Sequence, residues 1–290
     1  MPNVTEQWIT AADGHEIYTR TWEADQPVAS LVFVHGLGEH VNRYHHVFEQ
    51  FAKANIQVSA FDQRGFGQTG KKGKALGNTG GYAKAIPDIT AALERAKIEG
   101  LPLFLMGHSY GGSLVLNYDV QGPKRHELAG VIASAPLILP SPPTRPNAVT
   151  VGAAKIFSRL LPSLQVPVKL DSGLISRDAS EVTKYNADPL VHPYMTVLGS
   201  HDMLTNAKAL LTNRFQQVCA DVPILIMHGS GDGLTCPKAS KEFFDKLTQV
   251  GDKEYVTFDG WYHELHNEDG RQQVIEKYVQ WILAHVSPRA

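Results

Sequence analysis

Short apolar runs alternate along the chain with longer stretches in which apolar residues recur at helical spacing. "ASLVFVHG", "IQVSAFD", "LPLFLMG" and "LAGVIASAP" read as buried strands, and "VPILIMHG" and "KEYVTFD" repeat the type late in the chain. Between them "RYHHVFEQFAKAN", "IPDITAALERAKIE", "SLVLNYDVQ" and "KASKEFFDKL" carry the helical period. The last such stretch, "RQQVIEKYVQWILAHV", sets Val274, Tyr278, Trp281 and His285 on one side. Near the start, "QWITAADGHEIYTRTWEA" reads as a hairpin turning at Asp13-Gly14. Alternation of this kind predicts an α/β fold, with a mostly parallel central sheet and helices on both faces.

The rhythm breaks between residues 138 and 205, where "LPSPPTRPN" and "LLPSLQVPVKL" are rich in proline. This segment is expected to be an insertion that caps one end of the sheet, with 1–137 and 206–290 forming the core. Within it, a helix from about Val149 to Leu161, ended by Pro162, places Val149, Ala153, Ile156 and Leu160 on one side. Phe157 and Leu161 lie beside them, and Thr150, Lys155, Ser158 and Arg159 mostly elsewhere. That apolar side either packs on the core or rests in a membrane surface.

Composition narrows the class. Hydrophobic residues make up 43% of 290 and charged residues 19%, enough for a large core. A net charge of −2 gives no footprint for nucleic acid. The run Lys71-Lys72-Gly73-Lys74 is read as solvated loop. Two cysteines, Cys219 and Cys236, make neither a disulfide framework nor a metal cluster. No basic-flanked apolar leader and no apolar run of spanning length occurs, so a cytoplasmic protein is expected, with peripheral contact to membranes or lipid droplets if the cap side is exposed.

The sharpest chemical signal is Gly107-His108-Ser109-Tyr110-Gly111, a G-x-S-x-G set between the strand "LPLFLM" and the helix "GGSLVLNY". A tight strand-to-helix turn there lifts a serine hydroxyl out of the backbone, and glycines let neighbouring chain pass close. A serine needs a base, and the base needs an orienting acid. Where the nucleophile sits on such a turn, acid and base follow in that order on loops after later strands. Asp232 follows "VPILIMHG" and His263 follows "KEYVTFD", so Asp232 is assigned as acid and His263 as base. The rival acids are Asp202, inside the insertion, and Asp259, at a strand end. The rival base is His266, placed at the start of the last helix. The backbone amides of Leu37, in His35-Gly36-Leu37-Gly38, and of Tyr110 are assigned to the oxyanion. His35 is read as supporting that turn. The 13 histidines suggest metal, but no H-E-x-x-H spacing occurs and no metal or other cofactor is expected.

These motifs resemble the α/β-hydrolase fold and, within it, the monoacylglycerol lipase family over nearly the whole chain. "HGLGEHVNRY", "DQRGFGQTG", "GHSYGG", "SEVTKYNADPL", "GSGDGLTCPKAS" and "YHELHNE" carry the likeness. The resemblance implies a glycerol site at Glu39, Arg43, His108, Tyr185 and His266. Glu39 and Arg43 equally suit a buried pair bracing the oxyanion turn, and Tyr185 equally suits packing of the cap. Leu37 is bulkier than the residue common in that turn, and Tyr110 replaces a methionine; both bear on the acyl entrance. Cys236, four residues after Asp232, is expected near the site without a catalytic role.

One motif points elsewhere. Gly65-Phe66-Gly67-Gln68-Thr69-Gly70 satisfies G-x-G-x-x-G after a strand, as in dinucleotide-binding folds. The glycine-rich "KKGKALGNTGGY" behind it shows no helical pattern, and Asp88 is expected to open a helix rather than end a strand. The segment is therefore read as a flexible turn with no nucleotide. The expected activity is hydrolysis of monoacylglycerol to glycerol and fatty acid. The alternatives are a lysophospholipase or short-chain carboxylesterase of the same mechanism, and a non-catalytic binding protein on the same fold.

Overall fold

The computed structural model describes residues 2–168 and 170–286. In chain order it forms β1 (Val4–Thr10), β2 (Glu16–Trp22), β3 (Ala29–Val34), α1 (His45–Lys53), β4 (Ile56–Phe61), α2 (Gly67–Gly73), α3 (Tyr82–Ala96), β5 (Leu103–His108), α4 (Tyr110–Gln121) and β6 (Leu128–Ser134). There follow α5 (Ala148–Leu160), β7 (Gln165–Pro167), α6 (Ala179–Ala187), β8 (Tyr194–Thr196), α7 (Val197–Ala209), β9 (Ile224–Gly229), α8 (Pro237–Lys246), β10 (Lys253–Phe258) and α9 (Arg271–Ala284).

Among the described residues the main sheet has eight strands in the order β1-β2-β4-β3-β5-β6-β9-β10. β1 and β2 form the expected hairpin, β2 runs antiparallel to β4, and every other neighbour pair is parallel. β3, β5 and β9 are buried at every position, which is why they read as unbroken apolar runs rather than alternating ones. One face is covered by α3, α4, α7 and α8 through Ile89, Leu114, Met203 and Phe243. The other is covered by α1 and α9 through Phe48, Phe51, Tyr278 and Trp281. Parallel strands bring every strand-to-helix loop to one end of the sheet, where the chemical motifs gather.

Several elements differ from expectation. α3 begins at Tyr82, before the stretch that announces it, and runs through Pro87, so Asp88 lies inside the helix. Its early start has a remote cause: the Asp202 carboxylate on α7 accepts the Tyr82 N–H at 3.2 Å. Asp88 is buried and bonds Arg64 at 2.7 and 2.9 Å. Segment 138–205 has more regular structure than its prolines suggest, with α5, α6, a short β7–β8 pair and most of α7. Residue 205 falls within α7, whose Met203 and Ala207 are buried in the core. His266 lies in a short 3-10 turn, and α9 starts only at Arg271.

The glycine-rich motif is also corrected: Gly67–Gly73 is helical, with Lys71, Lys72 and Lys74 exposed at its end. The amide of Gln68 in its first turn donates to Asp62 Oδ2 at 2.7 Å, and Asp62 Oδ1 takes Val41 N–H at 2.9 Å. A Cβ on Gly67 would lie 2.2 Å from that carboxylate. The place where a pyrophosphate would sit is filled by the protein's own acid.

Candidate active site

Ser109 sits between β5 and α4 with φ +56°, a left-handed conformation that costs a non-glycine residue about 1–3 kcal/mol. Packing enforces it. A Cβ on Gly111 would lie 2.0 Å from the Val34 carbonyl, and one on Gly107 would lie 2.3 Å from the Gly111 carbonyl. The Ser109 amide donates to Ser134 O at 3.0 Å, tying the turn to β6.

The loops after β9 and β10 bring the other two groups to this turn. Ser109 Oγ is 2.9 Å from His263 Nε2, and His263 Nδ1 is 2.7 Å from Asp232 Oδ2. Asp232 Oδ1 accepts the amides of Leu234 at 2.8 Å and Thr235 at 3.0 Å. Thr235 Oγ1 reaches Oδ2 at 2.7 Å. Burial pushes the Asp232 carboxyl up, but the charge of His263 and hydrogen bonds from His228 and His263 outweigh it and hold the group well below the usual range. Burial alone would lower His263; the adjacent Asp232 charge and hydrogen bond reverse this and raise it. Such a pair can take a proton from a hydroxyl and hold it. The rival acids lie elsewhere: Asp202 caps α3, and Asp259 accepts from Ser230 Oγ at 2.8 Å.

The turn after β3 passes directly beside the serine, since a Cβ on Gly36 would lie 3.1 Å from Ser109 Cβ. Leu37 is held between two anchored glycines. Gly36 N–H donates to Glu39 Oε1 at 2.7 Å, and Gly38 O accepts His192 N–H at 3.0 Å. Tyr110 is the first residue of α4, so its N–H has no acceptor inside the helix. Its ring is buried against Tyr82. His35 is buried, its pKa pushed down to about 3 by desolvation, and it accepts Gln63 N–H at 2.9 Å, which fits a supporting role.

Glu39 and Arg43 form a brace whose third member the sequence did not announce. Arg43 reaches Glu39 Oε2 at 2.6 Å and makes a two-pronged bond to Glu264 at 2.7 Å on each arm. Tyr44 O–H donates to Glu39 Oε1 at 2.6 Å. Burial and the Glu264 charge raise Glu39, whereas Arg43 overcomes burial at Glu264 and lowers it. The Tyr185 ring lies 4.7 Å from the Arg43 guanidinium. His108 is 4.7 Å from His263 and 5.0 Å from His266, ring centre to ring centre. Burial drives both His108 and His266 well below the normal histidine range, so they are neutral at pH 7. Among the described residues, His108 Nδ1 and His266 Nε2 are buried with no hydrogen-bond partner. A polar ligand would satisfy them. No group of three or more His, Cys, Asp or Glu among the described residues has the arrangement of a metal site.

The profile of the family described as "Serine aminopeptidase, S33" matches residues 25–270. A putative monoglyceride lipase of Schizosaccharomyces pombe is 39% identical over 94% of this chain and 72% of its own length. The monoglyceride lipase of Homo sapiens is 30% identical over 94% of this chain and 89% of its own. The chain belongs to the monoglyceride lipase family. Among solved structures, a soluble variant of the Saccharomyces cerevisiae monoglyceride lipase, in complex with a substrate analogue, superposes with TM-score 0.89 at 27% identity, covering 99% of this chain and 96% of that one. The α/β fold expected from the strand–helix alternation, and the α/β-hydrolase fold implied by the resemblance, are thus established.

Sequence reasoning missed Glu264, Thr235 and His228 within this constellation. It also missed that the Asp188–His192 stretch docks on the turn after β3, where His192 N–H donates to Gly38 O at 3.0 Å and Asp188 Oδ2 meets His40 Nε2 at 2.8 Å. No local signal could have found Glu264, because its partner Arg43 lies 221 residues away in the chain.

Proposed function

We propose that the protein is a serine esterase that cleaves monoacylglycerol to glycerol and a free fatty acid. The observation that carries this is the Ser109–His263–Asp232 line with the polar cluster of Glu39, Arg43, His108, Tyr185 and His266 beside it. Membership among the monoglyceride lipases points the same way. Ser109 Oγ attacks the ester carbonyl carbon as His263 Nε2 takes its proton. The Leu37 and Tyr110 amides hold the oxyanion. The bond to glycerol breaks as His263 returns the proton to the leaving oxygen. Water, deprotonated by His263, then attacks the acyl-enzyme, releases the fatty acid and restores the Ser109 hydroxyl.

In this scheme Glu39 and Arg43 brace the oxyanion turn, and His108, His266 and Tyr185 meet the glycerol. Wild type, Tyr185→Phe and His266→Ala are to be assayed on monoacylglycerol, lysophospholipid and an aryl butyrate. Wild type should prefer monoacylglycerol. Each variant should lose roughly 2- to 10-fold on it, the worth of one hydrogen bond, and little on the aryl ester. Equal loss on both substrates would assign these residues to packing, and a preference for lysophospholipid would move the substrate class.

Residues 138–205 are proposed to act as the cap, with α5 as its membrane contact. Asn147 caps α5 by accepting Thr150 N–H at 2.8 Å. The apolar side faces outward: Val149, Ile156 and Leu160 are 81%, 61% and 68% exposed, whereas Ser158 is 7% exposed. Phe157, Leu161 and Leu164 extend the exposed apolar surface. No helix of the described residues is long and apolar enough to cross a membrane, so contact through this surface would be peripheral. Replacing Ile156, Phe157 or Leu160 with Ser should weaken vesicle binding and activity on vesicle-borne substrate. Melting temperature and activity on a soluble ester should hold. A lowered melting temperature with undiminished vesicle binding would make α5 a core helix instead.

A further inference from the structure

The mechanism above leaves one buried imidazole without a task. His228 is fully buried on β9 and lies 3.0 Å, through Nε2, from Asp232 Oδ2, the same oxygen that serves His263. Its Nδ1 is 2.7 Å from Ser240 Oγ on α8, and Ser240 Oγ is 2.9 Å from Tyr255 O–H on β10. We propose that His228 is a positioning residue of the triad, a second imidazole that fixes the Asp232 carboxylate and limits how strongly it holds the proton side of His263. This rests on the esterase mechanism proposed above.

The hydrogen-bond balance defines the tautomer. Asp232 Oδ2 can only accept, so a neutral His228 that bonds it must carry its proton on Nε2. Nδ1 is then an acceptor, and the single Ser240 hydroxyl proton, which can go to Nδ1 at 2.7 Å or to Pro237 O at 2.9 Å, is assigned to Nδ1. Tyr255 O–H can in turn donate to Ser240 Oγ at 2.9 Å or to Pro237 O at 3.2 Å. With the Ser240 proton on that bond, donors run in one direction, from Tyr255 through Ser240 and His228 to Asp232, and chains of this kind reinforce one another. Each bond is buried at its acceptor end, where loss of a donor to a charged group is expensive.

His228 differs from the other contacts of Asp232 in where it pulls. The Leu234 and Thr235 amides hold Oδ1, whereas His228 shares Oδ2 with His263 and with Thr235 Oγ1. A donor on that oxygen draws off charge that would otherwise stabilise the His263 imidazolium. Removing it has two consequences: the carboxylate loses an anchor, and His263 becomes more basic. The other titratable groups around it are Asp232 and His263 on their loops, Tyr255 on β10 with Cys236 beside it, and His108 on β5.

The test uses the full chain and an aryl butyrate, with kcat/KM followed across pH. Activity requires neutral His263, whose pKa lies above the ordinary 6.5, so the wild-type acid limb should fall above that value. His228→Leu should lower kcat roughly 10-fold or more and move the acid limb upward. His228→Gln, whose side-chain N–H can take the place of Nε2–H, should recover most of the loss. Ser240→Ala should shift the limb in the same direction by less. A folded His228→Leu with wild-type kcat and an unmoved limb would overturn the proposal, as would a Gln variant no better than Leu. If His228→Leu does not fold, Ser240→Ala decides: a lowered kcat with an upward limb supports the relay, and an unchanged profile overturns it. A normal His228→Leu beside an inactive Ser109→Ala would sink only this role, whereas an active Ser109→Ala would sink the esterase mechanism itself.

Discussion

Replacing Ser109 with alanine is expected to abolish ester hydrolysis and fluorophosphonate labelling and to leave the protein folded. The hydroxyl has one side-chain partner here, His263 Nε2 at 2.9 Å, and the turn is held by backbone: Ser109 N–H to Ser134 O at 3.0 Å and Leu137 N–H to Ser109 O at 2.9 Å. Alanine keeps those bonds and the same left-handed φ, so the strain is unchanged and the melting temperature should move little. The nucleophile alone is lost. Loss of a member of a serine triad lowers kcat by roughly 10⁴–10⁶, because the remaining members cannot act without it. Turnover near wild type in folded Ser109→Ala would remove serine chemistry from this protein.

Asp232→Asn is expected to be the second most damaging change, far beyond Asp202→Asn. The carboxylate accepts on both oxygens: Leu234 and Thr235 amides on Oδ1, and His263, His228 and Thr235 Oγ1 on Oδ2. Whichever way the new amide turns, its NH₂ meets groups that donate. Facing His263, it selects the tautomer with the proton on Nε2, which then cannot take the Ser109 proton. In serine proteases the same exchange costs about 10⁴ in kcat. Some stability should go too, because buried donors lose their acceptor. Asp202 accepts a single amide, Tyr82 N–H at 3.2 Å, which an asparagine oxygen can also accept. Parallel assays of the two variants on an aryl ester, with melting temperatures, separate the assignments. A crippling Asp202→Asn beside a mild Asp232→Asn would reverse them.

The parts of the site that were legible in the sequence are those set by local rules. A glycine-flanked serine between an apolar run and a helical stretch has few other ways to fold, and Gly107 and Gly111 stand where backbone atoms would strike a Cβ. The loops carrying Asp232 and His263 were legible because a parallel sheet sends the end of each strand to the same rim. The GFGQTG segment misled for the converse reason. Its helix, α2, is a short run without apolar periodicity, and its first turn is completed by Asp62 at the end of β4, whose carboxylate accepts Gln68 N–H at 2.7 Å.

By itself, then, the sequence determined the sheet, the turn that carries Ser109 and the order of the three catalytic candidates, since strand burial and tight turns leave periodic and glycine signatures within a few residues. Only the tertiary structure decided which charges meet. Arg43 and Glu264 are 221 residues apart in the chain, and nothing near either one announces the other. His228 sits four residues from Asp232, yet its second bond runs to Ser240 on another element. α5 is the plainest case. Periodicity placed Val149, Ile156 and Leu160 on one side, but an amphipathic pattern is the same whether its apolar side faces core or water. Only the position of the neighbouring elements, which leave that side open and bury Ser158, settles which way it faces.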